Sequence, residues 1–94
     1  MHLLDNGKHL ILYFSELQGY EDIELIAEKF QEVFKARILN KLDGPYSRIW
    51  DLEIDGEKFQ LIADDPYGSS IRTTDESSKN KLKELIPVIE TFIN

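Results

Sequence analysis

One stretch of the chain decides the fold: WDLEIDGEKFQLIA, residues 50–63. Its first half alternates apolar with acidic side chains, which is the period of a strand with one buried face. The dipeptide Asp55-Gly56 then predicts a type I′ turn, because both central residues of that turn need a positive φ. Apolar residues resume the alternation in the second half, so residues 47–63 are predicted to form an antiparallel hairpin.

Two amphipathic helices are predicted, one on each side of this hairpin in sequence. The first has an apolar stripe with helical spacing at Ile23, Ile26, Ala27, Phe30, Val33 and Phe34. The second has the stripe Leu82, Leu85, Ile86, Ile89, Phe92 and Ile93. Thr73 and Glu76 have the spacing of a capping box at the start of this second helix.

Three further segments are predicted to join the sheet. Residues 9–14 are apolar and follow the turn signal Asn6-Gly7, which indicates a buried strand. Residues 37–42 alternate in polarity and suit a strand, while a longer first helix fits the same residues. Residues 69–73 follow another turn cluster and suit a short edge strand.

These elements predict a single α+β domain over residues 1–94. The expected architecture is a two-layer sandwich in the order β-α-β-β-β-α, with a mostly antiparallel sheet and both helices on one face. Each apolar stripe needs a partner surface, and a chain of this length provides one core. The first residues, including His2, are expected to fray.

The composition narrows the classes of function. The chain has no cysteine, which excludes disulfides and cysteine-bound zinc and fits a reducing compartment; a cytoplasmic location is expected from the patterns of membrane and secreted proteins that the sequence lacks. A net charge of −7 disfavours binding to the phosphates of nucleic acids. Apolar runs are too short for a membrane helix, and the amino terminus lacks the pattern of a signal peptide.

No spacing of residues predicts a catalytic site, a metal site or a cofactor. The histidines His2 and His9 do not form a metal-binding pattern. Asp64 and Asp65 are adjacent carboxylates of the kind that hard cations use, but the spacing of a Ca²⁺ loop is absent and turn formation explains them as well. The serines and glycines lie outside nucleophile and phosphate-loop motifs.

The central segment resembles that of small bacterial proteins classed as a domain of unknown function. The resemblance is carried by residues 41–50, residues 52–56 and the turn at residues 64–68. It implies a bacterial origin and a β-meander beside a helix. It implies no active-site residue.

The same segment is the predicted contact surface. Residues 43–66 contain seven acidic and two basic side chains, a net charge of −5. Trp50 has the parity of the buried face of the hairpin and is predicted to be core rather than a recognition residue. A basic protein partner is expected to contact six residues: Tyr46, Asp51, Glu53, Asp64, Asp65 and Tyr67.

The predicted function is therefore a non-catalytic protein-binding or regulatory module, of the type of an immunity protein. The alternative is a small metal-dependent or carboxylate-based enzyme. A competing interpretation is that the acidic residues of residues 43–66 and of the first helix only keep exposed faces soluble. The sequence leaves the oligomeric state open.

Overall fold

The computed structural model describes residues 1–14, 22–64 and 68–93. These residues form six strands and two helices, which confirms the α+β class. In chain order the elements are β1 (His2–Asp5), β2 (Leu10–Tyr13), α1 (Ile23–Phe34), β3 (Arg37–Asp43), β4 (Ser47–Ile54), β5 (Glu57–Asp64), β6 (Gly68–Thr73) and α2 (Ser77–Ile89). Neighbouring strands are all antiparallel, and their spatial order is β1-β2-β6-β5-β4-β3.

The predicted order β-α-β-β-β-α is wrong, because two strands precede α1 and four separate it from α2. The missed strand is β1, whose four residues are all exposed and therefore show no buried parity in the sequence. Pairing with β2 places His2 opposite Tyr13, so His2 lies in a strand and not in a frayed end. Gly7, with φ 92°, closes this first hairpin, and its N–H donates to Asp5 Oδ1 at 2.9 Å.

The position of β6 also differs from the prediction. It lies between β2 and β5 in the centre of the sheet, and five of its six residues are buried. The edges are β1 and β3 instead. A strand is central or at an edge according to which distant segments pair with it. The local residue pattern of β6 does not carry that information.

The hairpin over residues 47–63 is confirmed. Trp50 lies opposite Leu61 in the β4–β5 ladder, with both side chains buried. Asp55 has φ 52° and Gly56 has φ 82°, which are the two positive values that the predicted type I′ turn requires.

Residues 37–42 form a strand and not an extension of α1. The helix ends at Lys35, which adopts the left-handed conformation with φ 58°. The N–H of Lys35 donates to the Gln31 carbonyl at 3.0 Å, and the N–H of Ala36 donates to the Phe30 carbonyl at 3.3 Å. This termination uses no glycine, which is why the sequence left the helix end ambiguous.

One core lies between the helices and one face of the sheet. The sheet contributes Leu10, Leu12, Trp50, Leu52, Ile54, Phe59, Leu61, Ala63 and Ile71, and the helices contribute Ile23, Ile26, Ala27, Phe30, Leu82, Leu85 and Ile89. Both helices therefore cover the same face. The ring of Phe30 meets that of Phe92 at a centroid distance of 5.7 Å, beyond the end of α2. Val33, predicted in the first stripe, is instead 42 % exposed.

α2 begins without the predicted capping box. Thr73 still belongs to β6, where its buried hydroxyl accepts the Leu10 N–H at 2.9 Å. Asp75 provides a hydrogen-bond acceptor at the start of the helix, because its Oδ1 accepts the Ser78 N–H at 3.0 Å. Ser78 is fully buried, and its Oγ lies 2.9 Å from the Lys58 carbonyl oxygen, which ties α2 to β5.

Candidate functional site

The sheet has a second face, which points away from the helices and which we call the open face. No element among residues 1–14, 22–64 and 68–93 covers it. Its side chains alternate with the core along each strand, as Ile49 and Asp51 do with Trp50 and Leu52. Among the described residues, the open face is therefore without a packing partner.

A row of mostly apolar side chains crosses the open face on all six strands. In spatial order it consists of His2, Tyr13, Ser70, Ile62, Ile49 and Leu42, each opposite the next in the strand register, and we call it the apolar row. Leu42 is 62 % exposed and Tyr13 is 38 % exposed, while Ile49 and Ile62 are half-buried. Leu4 and Ile11 lie opposite one another two residues further along β1 and β2 and widen the apolar surface.

Charged side chains on the open face are balanced. The acids are Asp51, Glu53 and Asp64, and the bases are Arg37, Lys58 and Arg72. Glu53 accepts a hydrogen bond from Arg37 Nη1 at 3.1 Å. Gln60 links Arg72 to Asp51: it accepts from the guanidinium and donates to Asp51 Oδ1 at 3.0 Å. This face is therefore close to neutral although the chain carries −7.

The structure places four of the six predicted contact residues. Asp51, Glu53 and Asp64 share the open face, and Asp64 lies opposite Ser47 at the other end of β4 from Glu53. Tyr46 lies in the β3–β4 turn and is 74 % exposed. Asp65 and Tyr67 lie outside the described residues.

Two other acids of the hairpin lie on the helix side and not with Asp51 and Glu53. Asp55 forms an ion pair with Lys81 of α2 at 2.7 Å. Glu57 accepts a hydrogen bond from the Ser77 hydroxyl at 2.9 Å. These acids fasten α2 to the β4–β5 turn, so the acidity of the segment is divided between two sides of the sheet.

A partly buried ionic cluster surrounds Trp50 at the edge of the core. Asp43 Oδ1 accepts hydrogen bonds from Arg48 Nε and Trp50 Nε1, both at 2.8 Å. Arg48 also donates to Glu24 Oε1 of α1 at 3.1 Å, and its guanidinium carbon lies 4.9 Å from the centre of the Trp50 ring. Lys41 Nζ lies 4.3 Å from the same ring centre. Trp50 is only 2 % exposed, which confirms that it belongs to the core.

The charge of Asp43 should make this cluster sensitive to acid. The hydrogen bond from Arg48, followed by that from Trp50, lowers the pKa of Asp43 below its ordinary value. A carboxyl group with a lower pKa in the folded state stabilises the fold above its unfolded pKa, and that contribution is lost as the pH falls through the folded pKa. We expect Asp43→Asn to lower the urea midpoint at neutral pH, with the gap from wild type closing below about pH 4.

Urea titrations at several pH values, followed by circular dichroism, measure this gap. Glu90→Gln removes one exposed carboxylate after α2 and is the control for a change of surface charge. A gap for Asp43→Asn that is equally large in acid and at neutral pH would show that the carboxylate charge is not what holds the cluster.

A groove runs along α1 beside the carboxyl-terminal turn, in the helix layer of the molecule. Its volume is about 450 Å³. Its floor is apolar and consists of Leu25, Ile26, Phe92 and Ile93; its rim consists of Asp22, Glu28, Lys29 and Glu32, and we call the whole the acidic groove. Leu25 is 64 % exposed in this floor. The sequence predicts these acids only as a solvated helix face and does not predict the groove. Its one signal is Leu25, an apolar residue between Glu24 and Glu28 that lies outside the predicted stripe.

Each histidine contacts a residue of a neighbouring strand. His9 Nδ1 lies 2.8 Å from the Thr73 carbonyl oxygen, and the His2 ring lies 6.2 Å from that of Tyr13. Within residues 1–14, 22–64 and 68–93, no group of three or more histidine, aspartate or glutamate side chains is arranged to hold a metal ion. Helices in that same part of the chain are too short or too polar to cross a membrane.

Comparison with known proteins adds no relative. No protein-family model, curated protein or solved structure matches the chain.

Proposed function

We propose that the protein is a non-catalytic binding module, acting as a regulator or an immunity-type protein, that holds a basic segment of a partner protein in the acidic groove. The observation that carries this proposal is the composition of the groove. Its rim has three acids and one base around an apolar floor. Such a site suits a segment with one apolar anchor flanked by lysine or arginine.

The geometry of the groove supplies both parts of recognition. The exposed side chain of Leu25 and the half-buried ring of Phe92 offer area that an apolar anchor removes from water. Lys29 lies 3.6 Å from Glu32, so one acid of the rim already has a basic neighbour. Asp22 and Glu28 belong to the same rim and leave it with a net negative charge. The net charge of −7 additionally steers a basic protein toward the molecule.

The six residues predicted from the sequence are the competing surface for this partner. Asp51 and Glu53 hydrogen bond within the open face, to Gln60 and Arg37, which reduces the charge that they offer. Tyr46 is the most exposed large hydrophobic side chain among the described residues and suits a contact at the border of that face. The experiment below separates the two surfaces.

The proposed location is the cytoplasm, and the cysteine-free composition is compatible with its reducing conditions. The alternative of a small metal-dependent or carboxylate-based enzyme, and the bacterial origin implied by the resemblance, stay predictions of the sequence.

An NMR titration of the isotope-labelled protein tests the groove directly. The probe is a short peptide of leucines and lysines, and its control has glutamate in place of lysine. We expect the basic peptide to shift the backbone signals of Leu25, Lys29 and Phe92, and the acidic peptide to leave them unchanged. The affinity should fall as salt is added, because screening weakens exposed charge pairs.

Two matched charge reversals identify the surface. Glu28→Lys with Glu32→Lys should weaken binding of the basic peptide, whereas Asp51→Lys with Glu53→Lys should not. If the shifts are confined to β4 and β5 and disappear only in the second variant, the partner binds the open face. An absence of shifts with the basic peptide would reject the proposal of a basic segment.

A further inference from the structure

The open face lacks a packing partner within the described part of the chain, and apolar side chains lie on it on five of its six strands, all but β6. We infer that a second copy of this chain covers it, so that two sheets pack face to face in a homodimer. The inference is independent of the acidic groove, which lies in the helix layer on the other side of the sheet. Such an interface uses the same patch on both copies.

The apolar row supplies the centre of this interface. It crosses six strands, a width of about 24 Å at the usual strand spacing. Ser70 and Ile62 occupy its middle, Tyr13 and Ile49 lie on either side of them, and Leu42 lies at one end. An apolar row of this width, interrupted at Ser70, is typical of an interaction surface.

The charges of the open face select a second copy over a basic partner. A basic protein gains most from a surface with excess acid, but the described acids and bases on this face are equal in number. Two copies of a neutral face meet without local repulsion between excess charges. The excess negative charge of the chain then stays outside the interface, including on the rim of the acidic groove.

The size of the face is sufficient for a weak specific dimer. The molecule has extents of 31 × 26 × 25 Å, and a face about 24 Å wide on it buries roughly 600 Å² per copy. Standard interfaces bury about 800 Å² per partner, so this one falls at the lower end of the specific range. We expect a weak and reversible dimer.

Analytical ultracentrifugation of the full chain tests the inference. We expect a reversible monomer–dimer equilibrium whose dimer fraction rises with protein concentration. Added salt should strengthen the dimer, because it screens the repulsion between two copies of charge −7 while the apolar contact persists. This salt response is opposite to that of a basic peptide in the acidic groove, so the two proposals fail separately.

Three variants locate the interface. Ile62→Lys and Tyr13→Lys each place a charge on the open face, away from the edge strands, and should make the protein monomeric. Leu25→Lys changes an equally apolar, exposed side chain in the acidic groove and should leave the dimer intact. Circular dichroism and urea titration verify folding; if Ile62→Lys is unfolded, the more exposed Tyr13→Lys variant decides the result.

Two outcomes would overturn the inference. One is a wild-type protein that stays monomeric up to several hundred micromolar. The other is a dimer that persists in folded Tyr13→Lys, since its interface would then lie elsewhere, for example along the exposed edges of β1 or β3.

Discussion

Replacing Trp50 with alanine is expected to lower the free energy of unfolding by about 3–5 kcal/mol, the range for large aromatic side chains removed from a core. Trp50 is 2 % exposed and pairs with Leu61 in the central part of the sheet. Its indole N–H also donates to Asp43, so the substitution removes packing and a hydrogen bond together. Because domains of this size are stable by only about 5–15 kcal/mol, the loss would leave a marginal fold.

Urea unfolding followed by far-UV circular dichroism measures this loss without depending on tryptophan fluorescence. Trp50→Phe is the matched control, since it keeps an aromatic ring in the core and removes only the indole N–H. It should cost less than the alanine variant. A cost below about 1 kcal/mol for Trp50→Ala would be the value of a surface position and would contradict the core assignment.

Thr73→Val is expected to cost about 1–3 kcal/mol, although it preserves the shape of the side chain. The Thr73 hydroxyl has no solvent exposure and accepts the Leu10 N–H at 2.9 Å. Valine leaves that buried donor without its acceptor. The substitution therefore weakens the pairing of β2 with β6, which connects the first hairpin to the centre of the sheet.

Thr73→Ser keeps the acceptor and is the control for this substitution. It should retain more stability than Thr73→Val in the same urea titration, despite losing a methyl group. Hydrogen exchange at the Leu10 amide provides a local readout, and it should accelerate only in the valine variant. A valine variant as stable as wild type would show that water or a backbone shift satisfies the Leu10 N–H.

Parts of the fold that depend on near neighbours in sequence were predictable. The β4–β5 hairpin needs only alternating polarity and a turn with two positive φ values, and residues 50–63 contain both. The stripe of α1 has helical spacing, and its burial at Ile23, Ile26, Ala27 and Phe30 follows. The prediction for this helix fails at its carboxyl-terminal end, where Val33 is exposed and Lys35 terminates the helix without glycine.

The candidate surfaces were predictable only in part. Alternation assigned Asp51 and Glu53 to the face opposite the core, and the pattern of β4 agrees. No local pattern indicated that Arg37 would lie opposite Glu53, or that Gln60 would connect Arg72 to Asp51. The acidic groove likewise forms only where α1 meets the segment after α2.

By itself the sequence determined the strand and helix periods, the type I′ turn and the face on which most hairpin side chains lie. Those properties follow from backbone sterics and from burial repeated within a few residues. Asp55 and Glu57, which alternation places beside Asp51 and Glu53, lie on the helix side instead. The tertiary structure alone decided that β6 lies in the centre, that β1 joins an edge and that the apolar row crosses all six strands. These properties depend on pairing between segments far apart in the chain, where register is set by the whole core and not by any single strand.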